Sequence, residues 1–320
     1  MNSLRFLTAI VAVIGAFPVC AQDYPAKTVR IIVAYTPGGG TDLVGRVLAK
    51  KLGEAWGQQV IVENRVGAGG NIGTELMAKA APDGYTLGIA PSSQAIAPGL
   101  YARLPFDTMK DFTYISLAAA GPNILVVHPS LPVTTVKEFV ALAKRRPGEL
   151  SFASAGIGAT THLAGEYFKS VAGIDVVHIP YKGSSQAQID LVGGQVQFMV
   201  DSMPSGLPRV QIGKTRALAT TGKKRFSGLP DVPTVMESGL PYESVSWWGV
   251  VGPANLPPAV VNKLVADIAK AVAQADAKEI LASQGAEPTT STPQQFLDYV
   301  KQETALYAKI IKDAKIPVQQ

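Results

Sequence analysis

Twice along the chain a short β-branched run gives way to a glycine-rich loop, a threonine-led helical pattern, a second apolar run and another small-residue loop. Val29-Arg30-Ile31-Ile32-Val33-Ala34 reads as the first strand and Thr36-Pro37-Gly38-Gly39-Gly40 as its loop. Leu43, Val44, Val47, Leu48, Leu52 and Ala55 then recur at helical spacing. Val60-Ile61-Val62, the loop Val66-Gly67-Ala68-Gly69-Gly70, a short helix and the strand Thr86-Leu87-Gly88-Ile89-Ala90 complete the unit. The second unit runs through the strand Ser151-Phe152-Ala153-Ser154 and the loop Ala155-Gly156-Ile157-Gly158-Ala159. A helix carrying Leu163, Tyr167, Phe168 and Val171 on one face follows, then the strand Val176-Val177-His178-Ile179 and the loop Lys182-Gly183-Ser184-Ser185. Such alternation implies an α/β fold of mainly parallel sheets flanked by helices. Its recurrence implies two similar lobes, each offering its loops at the C-terminal strand ends where ligands of open α/β sheets bind.

The punctuation predicts how the lobes connect. Gly121-Pro122 separates the apolar run from Ile115 to Ala120 from a new strand at Ile124, which places the first crossover near 120–123. Lys223-Lys224-Arg225 and two prolines place the return between Thr220 and Pro233. The expected division is therefore lobe 1 over 22–122, lobe 2 over 123–228 and a return to lobe 1 over 229–320. Val245-Ser246-Trp247-Trp248-Gly249-Val250-Val251 reads as the strand that rejoins lobe 1. The last helix has a clear start in Thr292, Pro293 and Gln295, a capping box with proline at the first helical position.

Residues 1–21 read as a cleaved secretory signal, with Arg5, an apolar stretch from Phe6 to Phe17, and small residues at Val19-Cys20-Ala21. The stretch is too short to span a bilayer, which takes roughly 20 residues. Lipidation of Cys20 is the alternative. Cys20 is the only cysteine of the 320 residues, so cleavage after Ala21 leaves a chain with no disulfide, thiol nucleophile or thiolate metal site. The net charge of +5 is spread along the sequence without a run of like charges, which argues against a nucleic-acid partner.

Catalytic and nucleotide signatures fail on inspection. Gly213-Lys214-Thr215 has the tail of a phosphate-binding loop, but Pro208 stands where its first glycine belongs, so Gly213 reads as a helix terminator. Gly67-Ala68-Gly69 and Gly38-Gly39-Gly40 meet Ile72 and Leu43 where a dinucleotide fingerprint needs glycine. No Gly-x-Ser-x-Gly elbow or His-x-x-x-His pair accompanies His128, His162 and His178. His178 reads as structural, and His162, opening a helix behind a glycine-rich loop, as a binding or packing residue.

What remains is anion capture by the backbone. Gly38, Gly39, Gly40, Thr41 and Asp42 lead into one helix, and Ala159, Thr160 and Thr161 into another. The first N–H groups of a helix lack intrahelical partners and carry about half a positive charge, so such an end binds a carboxylate without arginine. The threonines read equally as ordinary caps. Ser92 and Ser93 add hydroxyls at another strand end. Asp201, ending the strand Gln197–Val200, reads either as a turn cap or as an acceptor for a ligand amine or hydroxyl, and Trp248 as a wall of the cleft.

Six segments in order resemble motifs of the solute receptors of tripartite tricarboxylate transporters, the Bug-type periplasmic receptors. They are Tyr35–Asp42, Glu63–Gly70, Asp83–Leu87, Gly158–Glu166, Pro180–Gly183 and Asp231–Thr234 with Glu237-Ser238-Gly239. The resemblance spans about 24–316 and implies a two-lobed Venus-flytrap fold. It implies a periplasmic receptor without catalytic activity or cofactor, expected as a monomer, that hands its ligand to a two-component membrane permease. That ligand is a small organic carboxylate: a di- or tricarboxylate, an acidic amino acid or an aromatic acid. By motif position the resemblance assigns the ligand to Gly38–Asp42 and Ser92-Ser93 of one lobe and to Ala159, Thr160, Thr161 and Asp201 of the other. The alternatives are a sensor for a membrane signalling protein and a secreted hydrolase.

Overall fold

A computed structural model describes residues 24–320. The expected signal segment, and Cys20 with it, lies outside the described residues. The chain begins β1 (Val29–Val33), α1 (Gly40–Trp56), β2 (Val60–Asn64), α2 (Asn71–Ala78), β3 (Thr86–Pro91) and α3 (Ser93–Leu100). β4 (Phe112–Val127) leads to α4 (Val136–Arg145), β5 (Ser151–Ser154), α5 (Thr160–Ala172), β6 (Val177–Pro180) and α6 (Ser184–Val192). β7 (Phe198–Ser202), α7 (Met203–Gln211) and β8 (Arg216–Thr220) follow. The chain closes with β9 (Val245–Pro253), α8 (Pro258–Ala273), α9 (Ala275–Ser283), β10 (Glu287–Pro288) and α10 (Pro293–Asp313). The Thr292–Gln295 capping box at α10 forms as read, and Gly213 ends the α7 turn at φ 70°.

The strands run in the order β2-β1-β3-β9-β4-β7-β5-β6, with β8 and β10 added on β4. Each half is parallel at its outer edge: β1 pairs parallel with β2 and β3, and β5 with β6 and β7. The pairs around β4 and β9 are antiparallel, so the sheet as a whole is mixed. Period-2 alternation puts a core on both faces of each half. In the first lobe Ile31 and Val33 pack with Leu48, Leu52, Leu264 and Ile268, while Ile32 packs on the other face with Met77, Ile96, Trp247 and Phe296. In the second, Leu125, Val127, Phe198 and Val200 meet Phe139, Phe152 and Phe168, and Ile124, Val126 and Met199 meet Leu191, Met203 and Leu207. Truncating one such buried phenylalanine costs about 3–5 kcal/mol.

The first crossover departs from the expected strand break at Gly121-Pro122. β4 is one unbroken strand through both lobes, paired with β9 from Phe112 to Pro122 and with β7 and β8 from Asn123 to Val127. Pro122 is tolerated because it falls at the end of the β9 pairing, opposite Val245, where the strand exchanges partners. Asn123 is fully buried at this point and ties the crossing segments together. Its N–H donates to Thr221 Oγ1 at 2.7 Å, its Nδ2 donates to Ser244 Oγ at 2.7 Å, and its Oδ1 accepts from Ser246 Oγ at 2.6 Å. Residues beyond the expected return at 229 still pack with the second lobe. Val235 and Tyr242 are buried in its core, and the Tyr242 hydroxyl donates to the Ala164 carbonyl at 2.8 Å.

Candidate functional site

A cavity of about 420 Å³, including space open to solvent, lies between the lobes at the C-terminal strand ends. From the first lobe and β9 it is lined by Tyr35, Thr36, Gly39, Gly40, Thr41, Pro91, Ser246 and Trp248. Ala155, Ala159, Thr160, Thr161, Ser184 and Ser202 line it from the second. None of these residues is ionisable at neutral pH, so a ligand's charge meets only backbone dipoles and hydroxyls.

Those dipoles converge. α1, α5, α6 and α7 all begin at the cavity, capped by Gly39, Ala159, Gly183 and Ser202, and none has a side-chain cap hydrogen bond. The threonines are therefore not spent as caps. Thr41 and Thr160 lie inside their helices, and Thr161 Oγ1 accepts instead from the Ala155 N–H at 2.8 Å, which shapes its own loop. Uncapped helix starts in an uncharged, half-enclosed cavity form an anion site, strengthened by the dipoles. Thr36 Oγ1 is buried with no hydrogen-bond partner among the described residues, a further polar group facing this cavity.

The sequence-nominated residues divide into two groups. Gly39, Gly40, Thr41, Ala159, Thr160, Thr161 and Trp248 line the cavity. Gly40 has no room for a side chain, because a methyl group there would overlap the Trp248 ring. Both tryptophans of β9 are buried, Trp247 in the core with Phe296 and Trp248 between core and cavity.

Gly38, Asp42, Ser92, Ser93 and Asp201 do not line it; they hold the residues that do. Asp42 accepts from the Gly38 N–H at 3.0 Å, from Arg46 Nε at 2.8 Å and from Asn64 Nδ2 at 2.9 Å, fixing the glycine loop from behind. Burial pushes its carboxyl up, but the bonds from Arg46, Asn64 and Gly38 outweigh this and hold it below the ordinary value. Ser92 Oγ accepts from the Trp247 N–H, and Ser93 Oγ lies 2.9 Å from the Tyr35 hydroxyl. Asp201 is fully buried behind Ser184, accepting from Ser184 Oγ, Gln188 Nε2 and the Ser202 N–H, each at 2.8 Å. Burial holds its carboxyl above the ordinary value, and its three donors tie it to α6 and to the start of α7.

Tyr35, Thr36, Pro91, Ala155, Ser184, Ser202 and Ser246 were not nominated from sequence. Ser184 and Ser202 carry a signal: Ser184 is the first residue of its helix just as Thr160 is, and Ser202 ends β7 as the cap of α7. The lobes also touch at the cavity mouth. The Tyr101 hydroxyl donates to the Ile157 carbonyl at 2.8 Å and Ser185 Oγ to the Pro37 carbonyl at 2.5 Å. Ala34 and Tyr35 of one lobe pack with Ala155 and Ala159 of the other.

The sequence profile of the tripartite tricarboxylate transporter family receptor matches residues 44–316. Protein BugT of Bordetella pertussis is 37% identical over 318 residues, 96% of this chain and 98% of its own. Among solved structures, an R. palustris protein with adipate superimposes with a TM-score of 0.90 at 36% identity, covering 92% of this chain and 99% of that one. MatC from Rhodopseudomonas palustris with bound malate gives 0.87 at 29% identity, covering 90% and 100%.

Proposed function

The chain belongs to the tripartite tricarboxylate transporter receptor family, and from that premise we propose that it is a periplasmic receptor for a small organic dicarboxylate bound between its lobes. One observation carries this reading: four uncapped helix starts, from both lobes, meet at a cavity lined by no group charged at neutral pH. A carboxylate on the α1 end and another on the second-lobe ends satisfy donors on both walls at once. Adipate and malate, the acids in two structures of similar proteins, are diacids that suit such a site.

A ligand that bridges both walls favours the closed arrangement by its differential affinity for it. The closed receptor then delivers the acid to a membrane permease. The protein performs no chemistry on the acid, and no nucleophile–base pair lines the cavity. The observed packing supports a division in which lobe 2 runs over 123–243 and the return begins at Ser244 within the Asn123 knot.

The test is thermal unfolding of the mature chain, denatured and refolded to strip bound ligand, against adipate, malate, citrate, glutamate and benzoate. An acid present at 100 times its dissociation constant adds about 2.7 kcal/mol, which moves the midpoint by several degrees. A diacid giving that shift and recovered unchanged supports the reading. A shift from benzoate alone, or from none of the acids, contradicts it.

A further inference from the structure

We propose that His162, Glu166 and His178 form a binding site for a borderline divalent metal ion such as Zn²⁺, set behind the loop that presents the second lobe's helix end. His162 and Glu166 stand four residues apart on α5 and so share one face. His178 reaches them from β6, its ring stacked on that of His162 with centroids 4.3 Å apart and planes 27° apart. One donor atom from each of the three residues lies within 4.8 Å of the others. Two imidazoles and a carboxylate are a known zinc ligand set that leaves a fourth position open. None of the three lines the carboxylate cavity.

The surroundings suit ligation. Ser154 Oγ engages His178 Nε2 at 2.6 Å and Phe152 stacks on the ring's other face at 4.7 Å, which holds the ring and leaves Nδ1 for a metal. His162 Nδ1 accepts from the Gly158 N–H at 3.3 Å, so the ring's proton sits on Nε2 and passes to Nδ1 when Nε2 ligates. Lys169 Nζ is 3.8 Å from the Glu166 carboxylate, on a side chain with access to solvent into which it swings when a cation arrives. Ligation turns the His162 ring out of the stack about its Cβ–Cγ bond, while Ser154 and Phe152 hold His178.

Occupancy reaches the cleft through one hydrogen bond. Ligation through Nε2 places the His162 proton on Nδ1, which then no longer accepts from Gly158. Gly158 adjoins Ile157, whose carbonyl takes the first-lobe hydroxyl of Tyr101, so metal binding loosens the loop that latches the lobes.

The test is calorimetric titration of the untagged, chelator-treated mature chain with ZnCl₂, alongside Glu166→Gln, His178→Ala and His128→Ala. One Zn²⁺ per chain is expected, at least tenfold weaker in the first two variants and unchanged in the third. Glu166→Gln keeps the side chain's shape, so it decides the matter if His178→Ala fails to fold. No heat of binding in the parent chain, or a Glu166→Gln isotherm matching it, overturns the site. Zn²⁺ is further expected to speed amide exchange at Gly158 in the parent chain and not in Glu166→Gln; unchanged exchange overturns the coupling to the loop.

Discussion

Gly183 of the second lobe lies directly against Thr36 of the first: a methyl group at Gly183 would overlap Thr36 Oγ1 and come within 3.0 Å of its Cβ. The backbone at Gly183 is extended, with φ 165°, so alanine fits the second lobe alone and collides only when the lobes meet. Gly183→Ala is therefore expected to weaken diacid binding at least tenfold, about 1.4 kcal/mol. The free protein loses less than about 1 kcal/mol, through poorer capping of α6. Titration calorimetry of this variant and of Gly183→Ala with Thr36→Gly checks it, because removing the opposing side chain restores part of the affinity. Equal binding by Gly183→Ala and the parent chain rules out closure through this contact.

The knot at Asn123 is expected to hold the hinge. Asn123→Ala leaves the buried hydroxyl of Ser246 and the half-buried hydroxyl of Ser244 without their partner, a loss of about 1–3 kcal/mol in urea denaturation. Asn123→Asp keeps the Oδ1 acceptor for Ser246 and is expected to lose less at pH 4 than at pH 8, since it is neutral only when acidified.

The histidine pair gives the fold a pH dependence of known sign. Both folded-state values lie below the ordinary 6.5, so the unfolded chain takes up protons first on acidification. The stability they confer is complete above about pH 6.5 and drains away as the pH falls to about 4 for His162 and about 3 for His178. Urea denaturation of the parent chain and of His162→Gln from pH 7 to 4.5 isolates this contribution from that of other groups. The variant is expected to show the shallower decline, and parallel declines would contradict the assignment.

Trp248 is 2% exposed and joins the first-lobe core to the cavity. Its replacement by alanine is expected to cost about 3–5 kcal/mol in denaturant unfolding. If its ring also selects ligands, benzoate loses more affinity than adipate in a variant that still folds, such as Trp248→Leu. Equal losses would confine the ring to packing.

Much of this was legible in the sequence because local signals and global fold agree. The glycine loops after Val33 and Ser154 announce helix starts at strand ends, and Thr292, Pro293 and Gln295 mark α10 to the residue. What the sequence leaves open is where a side chain points. Asp201 occupies the expected strand end, but strand alternation turns it into the space behind Ser184, and Ser92 turns towards Trp247. Both serve the cleft at one remove. Gly121-Pro122 misled for a related reason: glycine and proline usually end strands, yet here partner exchange between β9 and β7 removes the need for an unbroken ladder at that point.

The central claim is that backbone N–H groups at helix starts hold the acid, and Thr160→Pro tests it most directly. Thr160 is the first residue of α5, a position proline favours, and Ala159 before it has φ −66° and ψ 156°, compatible with a following proline. The substitution removes one N–H at the cavity wall while leaving the helix intact, and Thr160→Ala removes only the hydroxyl. A hydrogen bond to a charged group contributes about 1.5–3 kcal/mol, so Thr160→Pro is expected to weaken diacid binding roughly 10- to 150-fold, well beyond Thr160→Ala, with the ligand-free melting midpoint retained. Parent-like affinity in Thr160→Pro would contradict backbone capture and return the acid to side chains or to another site.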